Sequence, residues 1–294
     1  MSKKVDRAGV NSELIRRPMK RWAPLFLLPT FLAFCIGFVW PFIQGIYLSF
    51  CKFNVPSDAT WVGVQNYTKI WTDAGFWNAF KNTAAFAAVT IVLINVVAFM
   101  IAYALTQKMR GSNLFRTVFF MPNLIGGVVL GYIWSMIFDG ILKQYATYLT
   151  ANSTYGFWGL VILVAWQQIG YMMIIYIAGM QSLPTDVLEA ASVDGASGTQ
   201  TMFKIIIPLM MPSITVCSFL TVTNGFKLFD QNLALTNGAP SRMSEGLALN
   251  ITNTFYARTG FEGVGQAKAV LFFILVAVVS LLQNKLTTSK EVAA

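Results

Sequence analysis

The sequence predicts an all-α integral membrane protein with six transmembrane helices. Hydrophobic residues make up 56% of the 294 positions and charged residues only 11%, against about 25% charged in ordinary soluble domains. The mean hydropathy is +0.60. Six apolar stretches approach the roughly 20 residues needed to cross a hydrocarbon core.

The first predicted span runs from about 23 to 50, with Pro29 and Pro41 placed to bend it. It is too long for a signal-peptide core and no small-residue cleavage site follows it, so it reads as a retained helix. Residues 1–22 form a basic tail ahead of it. The second span covers about 83–105, the third 117–138 and the fourth 157–180. The fifth, about 209–229, is weaker, with Ser, Thr, Asn and Gly scattered through it. The sixth covers about 267–283, and residues 288–294 form a short tail.

Basic residues set the orientation. Lys3, Lys4, Arg7, Arg16, Arg17, Lys20 and Arg21 all precede the first span. Lys108, Arg110, Arg116, Lys204, Lys285 and Lys290 fall on the same side. Lys52, Lys69, Lys81, Lys143, Arg242, Arg258 and Lys268 fall in the opposite loops, and Lys227 lies within the fifth span. The excess beside the first helix places both termini, and the 184–208 connection, in the cytoplasm. Trp22, Trp40, Tyr47, Trp134 and Trp158 cluster near span ends, as interfacial anchors do. The basic excess therefore reads as a membrane flank and not as a nucleic-acid footprint.

Composition also limits the chemistry. Histidine is absent, which removes the commonest general base and metal ligand. Cys35 and Cys217 lie inside apolar runs, so the three cysteines imply no disulfide framework. There is no G-x-x-x-x-G-K-[ST] loop to cradle phosphates. The sequence points to no catalytic residue, no metal site and no cofactor in this chain.

The connection at 184–208 is polar, compact and patterned. Pro184, Thr185 and Asp186 start a short alanine-rich helix, and Gly195 breaks it where backbone freedom is needed. Gly198 and Thr199 allow a second start, and a second short helix is expected to end at Pro208. One reading is an ordinary cytoplasmic hairpin that joins two spans. The other is a stub shaped to fit a cleft on a partner.

Glu189-Ala190-Ala191, then Asp194-Gly195-Ala196, then Phe203 and Pro208, resemble the EAA loop of inner-membrane permeases from ATP-binding-cassette importers. The resemblance covers roughly residues 20–285 and is closest to the carbohydrate-importing, maltose-type branch. It departs at Thr199, where that family often carries a large aromatic. The resemblance implies a type I importer permease fold in a bacterial cytoplasmic membrane. It implies that Glu189, Ala190, Ala191, Asp194, Gly195, Ala196, Phe203 and Pro208 dock on an ATPase. Its implied partners are a second permease, two ATPase subunits that bind the ATP and Mg, and an extracytoplasmic sugar-binding protein. It also implies that Phe229-Asp230 and Leu235-Thr236-x-Gly238-x-Pro240 form an outer gate region.

Polar residues within spans are costly and usually face a bundle interior. Trp166, Gln167, Tyr171, Asn224, Lys227, Phe229 and Asp230 are therefore candidates for a substrate path. Gln167 and Tyr171 are four apart, as are Gly225 and Phe229, and Asn224, Lys227 and Asp230 recur every three residues, so each set is expected to share a helix face. The competing reading is that the amides hold helices together and that Lys227 pairs with Asp230 near the outer interface. An importer permease with a non-sugar cargo and an ion-coupled transporter stay open as alternatives. The second expects a buried carboxylate within the spans, and Asp139 and Asp230 fall only at predicted ends.

Overall fold

The computed structural model describes residues 12–107 and 109–289, with side chains described from Trp22 onward. Lys3, Lys4, Arg7, Lys108 and Lys290 lie outside the described residues. Arg16, Arg17, Lys20 and Arg21 are described only as helical backbone.

Four unbroken helices are long and apolar enough to cross a membrane: Trp22–Ser49, Ala74–Thr106, Ser153–Gln181 and Glu262–Thr288. Two bent pairs, Ser112–Leu124 with Gly127–Tyr145 and Gly198–Leu209 with Met211–Phe226, bring the count to six. The second, fourth and sixth helices extend beyond the stretches that hydropathy marks. The second and fourth begin at polar caps that an apolar window does not register, whereas the sixth begins after Phe261 with no side-chain cap. Asp73 accepts from Gly75 N at 2.9 Å to start the second span, and Asn152 accepts from Thr154 N at 2.8 Å to start the fourth.

The third span is not a straight crossing. It bends by 101° after Leu124. Pro122 sits in a 3₁₀ turn, and Ile125 and Gly126 are extended, which interrupts the hydrogen-bond ladder. The fifth bends by 69° at Met210. A tighter correspondence links Pro41 and Pro208. Each follows a five-residue π turn, Cys35–Val39 and Met202–Ile206. Proline lacks an N–H for the carbonyl four residues back, and the wider turn absorbs that loss without ending the helix.

The second and fourth spans form the core. Ile94, Ala98 and Ala102 follow at four-residue spacing and are wholly buried, as are Leu163, Met172 and Met173 on the fourth span. Small side chains on one face let the backbones approach closely. The third span approaches the fourth as closely: a Cβ on Gly170 would lie 1.8 Å from the Phe119 carbonyl oxygen. The first span stands at the edge. The apolar stretch of that span buries nothing, and its second half touches the bundle where Phe42 meets Phe273 edge-on at 5.0 Å.

The connections at one end of the bundle are structured. Residues 50–73 hold a short antiparallel hairpin, Cys51–Lys52 against Thr60–Trp61, and a helix, Gln65–Trp71. The 230–266 connection folds back on the bundle. Its helix Asp230–Leu235 packs on Gly127–Leu142, so closely that a Cβ on Gly131 would meet Ala234 Cβ at 2.7 Å. A second helix, Leu247–Tyr256, lies against the last span.

Candidate functional site: a protruding hairpin and a polar seam

The 184–208 connection folds as two short helices. The first is Thr185–Val193, with Asp186 in its first turn. Gly195 takes φ +75°, a left-handed turn suited to glycine. Ala196 N then donates to Ala191 O at 3.0 Å and closes the helix end. Ser197 starts the second helix with a reciprocal cap: its hydroxyl accepts from Gln200 N, and its own N–H donates to Gln200 Oε1 at 2.8 Å. The Ser-x-x-Gln pattern in the sequence marks this cap at Ser197, one residue ahead of the start expected at Gly198 and Thr199. The second helix does not end at Pro208. It runs to Leu209, because the π turn at Met202–Ile206 accommodates the proline.

Exposure divides the hairpin. Ala191 is buried and Ala196 half-buried. Glu189, Ala190, Asp194 and Gly195 are exposed. Val193 is 87% exposed and Phe203 66% exposed. Val193 stands open on the polar hairpin, and Phe203 borders an apolar groove shared with Val96, Met100 and Ile207; apolar side chains this open mark a contact surface. Ile206 and Met210 are buried and root the second helix, and Gly179 of the fourth span comes close to Met210 and Ser213.

The polar residues of the spans form a seam, with a register the sequence did not show. The fifth helix stops at Phe226. Lys227 caps it, Phe229 is non-helical, and Asp230 opens a new helix. Asn224, Lys227 and Asp230 therefore do not share a helix face, and neither do Gly225 and Phe229. Asn224, Lys227 and Asp230 are all exposed. Among the described residues the ion pair is Lys268 with Asp73, not Lys227 with Asp230.

Gln167 is 7% exposed and ties three elements together. Its Nε2 donates to Ile125 O at 3.2 Å, satisfying a carbonyl freed by the break in the third span. Its Oε1 accepts from Gln231 Nε2 at 2.8 Å on the helix Asp230–Leu235. Asn224 Nδ2 donates to Gln168 Oε1 at 3.4 Å. Trp166 is half-exposed and packs edge-on against Trp134, with centroids 5.5 Å apart. Tyr171 is half-buried, one turn beyond Gln167 on the same helix. The seam thus has a bridging amide, Gln167, flanked by open groups at Trp166, Asn224, Lys227 and Asp230.

A third cluster was missed. Lys268 was assigned to an outer loop, but it is fully buried within the last span. Its Nζ donates to Asp73 Oδ2 at 2.7 Å, Asn250 Oδ1 at 2.8 Å and Thr254 Oγ1 at 2.8 Å. Buried Glu245 accepts from Asn250 Nδ2 at 2.7 Å and from Asn253. A lysine at the head of an apolar run was the available signal, because such a charge needs a partner.

Comparison with known proteins gives the same fold and a family. Residues 110–290 match the family described as the binding-protein-dependent transport system inner membrane component. The chain is 44% identical over 280 residues to the Probable starch degradation products transport system permease protein AmyD of Thermoanaerobacterium thermosulfurigenes, covering 92% of this chain and 95% of that protein. It is 29% identical over 283 residues to the Multiple sugar-binding transport system permease protein MsmF of Streptococcus mutans, covering 93% and 97%. A crystal structure of a bacterial ABC transporter involved in the import of the acidic polysaccharide alginate has the same fold, with TM-score 0.78, 19% identity and coverage of 94% and 99%. With six apolar crossings, a helical hairpin between the fourth and fifth, and this match over most of its length, the chain belongs to the binding-protein-dependent transport system inner membrane components, as a multi-pass importer permease.

Proposed function

We propose that this chain is the permease subunit of an ATP-driven importer that carries a sugar, most naturally an oligosaccharide, across a bacterial cytoplasmic membrane. Both termini and the 184–208 hairpin face the cytoplasm, as the basic excess ahead of the first span directs. The hairpin docks on an ATPase subunit. Val193 and Phe203 supply apolar contact there, and Glu189 and Asp194 supply charge. ATP and Mg bind on two such ATPase subunits and not on this chain. A second permease completes the path, and an extracytoplasmic sugar-binding protein delivers cargo to the structured outer connections.

The single observation that carries this reading is the rooted hairpin with an exposed apolar rim. Ile206 and Met210 anchor it in the bundle, so a push on its tip is transmitted to the fifth span. Trp166, Tyr171, Asn224, Lys227, Phe229 and Asp230 are the proposed path-lining set, and aromatic faces with amides suit a sugar. Two of the relatives carry starch degradation products or multiple sugars in their names, which supports carbohydrate cargo. Ion-coupled transport is less well supported, because buried Glu245 is committed to Asn250 and Asn253 in the outer connection.

Co-purification tests the proposal. The wild-type chain is expected to recover an ATPase from its own host, and Glu189→Arg to lose it while still inserting in the membrane. Full sugar uptake in cells lacking every such ATPase would sink the reading.

A further inference from the structure

One cavity lies beside the seam. It has a volume of about 260 Å³ and sits among the start of the second span, the start of the fourth, the end of the fifth helix at Gly225, then Leu228 and Asn232, and the segment 243–246. Its lining includes Asn82, Thr83, Phe86, Ser153, Thr154 and Phe157. None of the path candidates Trp166, Gln167, Asn224 or Lys227 belongs to it.

Two aromatic rings form its wall. Phe86 and Phe157 meet edge-on with centroids 6.4 Å apart. Polar groups of the rim retain unused capacity. Asn82 Nδ2 donates to Met243 O and Glu245 O, which leaves its carbonyl oxygen free. Thr83 Oγ1 accepts from Leu247 N at 2.8 Å, and its hydroxyl hydrogen is available to donate. The hydroxyls of Ser153 and Thr154 have no hydrogen-bond partner among the described residues. No ionisable side chain lines the cavity.

Size and charge narrow the ligand. Pockets for drug-sized ligands run from about 300 to 1,000 Å³, so this one takes a single ring and not a whole oligosaccharide. The aromatic wall suits the C–H face of a ring, and the free hydroxyls and amide suit its O–H groups. A phosphorylated or acidic sugar would enter with no cation to meet it, at a large desolvation cost.

We infer that this cavity is a binding site for one neutral pyranose ring, on the outer side of the chain, adjoining the path-lining seam but lined by none of its candidates. This rests on the reading of the chain as a sugar importer's permease. The ring is either a free monosaccharide or the terminal residue of a longer sugar.

Saturation-transfer NMR on the full chain in lipid nanodiscs tests it. D-glucose reports a free ring, maltotriose a terminal ring, and sn-glycerol 3-phosphate an anionic competitor. Ring C–H signals are expected from glucose, or from one terminal ring of maltotriose, with no competition from the phosphate. Thr154→Val removes one hydroxyl and keeps the shape, and a loss of about ten-fold in affinity is expected. Ala85→Phe fills the cavity without removing a hydrogen bond, and is expected to abolish binding with an unchanged unfolding temperature. Equal binding in Ala85→Phe, equal competition by the phosphate, or no neutral-sugar binding to the wild-type chain would overturn the inference. Sugar binding in the nanodisc needs no ATPase, whereas the importer reading fails when the wild-type chain recovers no ATPase or when uptake persists without one, so the two failures are distinguishable.

Discussion

Lys268 Nζ lies 2.7 Å from Asp73 Oδ2, joining the start of the second span to the last span across 195 positions of sequence. The lysine is fully buried and the aspartate side chain 19% exposed. The pair is asymmetric, and the asymmetry has consequences. If Asp73 is neutralised, Lys268 stays buried without a counter-charge. If Lys268 is removed, Asp73 can still turn to water and still cap its helix.

Asp73→Asn is therefore expected to cost more stability than Lys268→Met. Breaking a buried pair by removing one partner costs about 3–5 kcal/mol, and the asparagine keeps the helix cap, which isolates the charge effect. Thermal unfolding of both variants in detergent checks the order. Equal losses would show that Lys268 reaches water after all.

The same pair predicts acid sensitivity. Burial raises the Asp73 pKa, but the Lys268 hydrogen bond and charge, with the N–H groups of Phe76 and Gly75, outweigh it and hold the carboxyl below its usual range. A carboxylate with a lowered folded pKa contributes stability that is present above its unfolded value near 4, and that is lost as pH falls through the folded value. Unfolding temperature is expected to drop below about pH 4, and Asp73→Asn to flatten that part of the profile. An unchanged profile in the variant would contradict the assignment.

Gln167→Met is expected to destabilise the break in the third span. It keeps length but leaves the Ile125 carbonyl and the Gln231 amide without their partner, a loss of about 1–3 kcal/mol. Increased hydrogen exchange around residues 125–127 is the local readout. If only transport changes while stability and exchange hold, Gln167 acts on cargo and not as a bridge.

Gly170→Ala is expected to prevent proper packing of the third span on the fourth, since the new Cβ would lie 1.8 Å from the Phe119 carbonyl oxygen. Gly37→Ala is the control, because nothing lies within 4 Å of the Cβ it adds. Yield of monodisperse protein after detergent extraction separates the two. A normal Gly170→Ala yield would mean that these helices stand farther apart.

At Val193, Val193→Asp places a charge on the most open apolar side chain of the hairpin. ATPase co-purification is expected to fall at least ten-fold, with thermal stability unchanged because the residue packs on nothing. Recovery at the wild-type level would put the contact elsewhere on the hairpin.

Span number, the hairpin and its sharp turn at Gly195 were legible in the sequence, because apolar length, glycine and proline act locally. Proline was the misleading signal at Pro208. It marks a missing donor, but whether the helix ends or widens depends on neighbours that can hold it. Periodicity likewise suggested a shared face for Asn224, Lys227 and Asp230, since a spacing of three is helical only while the helix lasts. The break at Phe226 follows from the packing of Asp230–Leu235 onto Gly127–Leu142, a contact between segments about 100 positions apart.

Taken by itself, the amino-acid order determined that this chain crosses a membrane six times and carries a polar hairpin between its fourth and fifth crossings. Those properties follow from the cost of placing backbone and charge in hydrocarbon, which each segment meets alone. Only the tertiary structure decided which polar groups are already committed. Gln167 is held by Ile125 and Gln231, and Lys268 by Asp73, Asn250 and Thr254, while Ser153 and Thr154 remain open. A hydrogen bond needs two groups within about 3 Å, and for groups far apart in sequence only the folded chain can bring them that close.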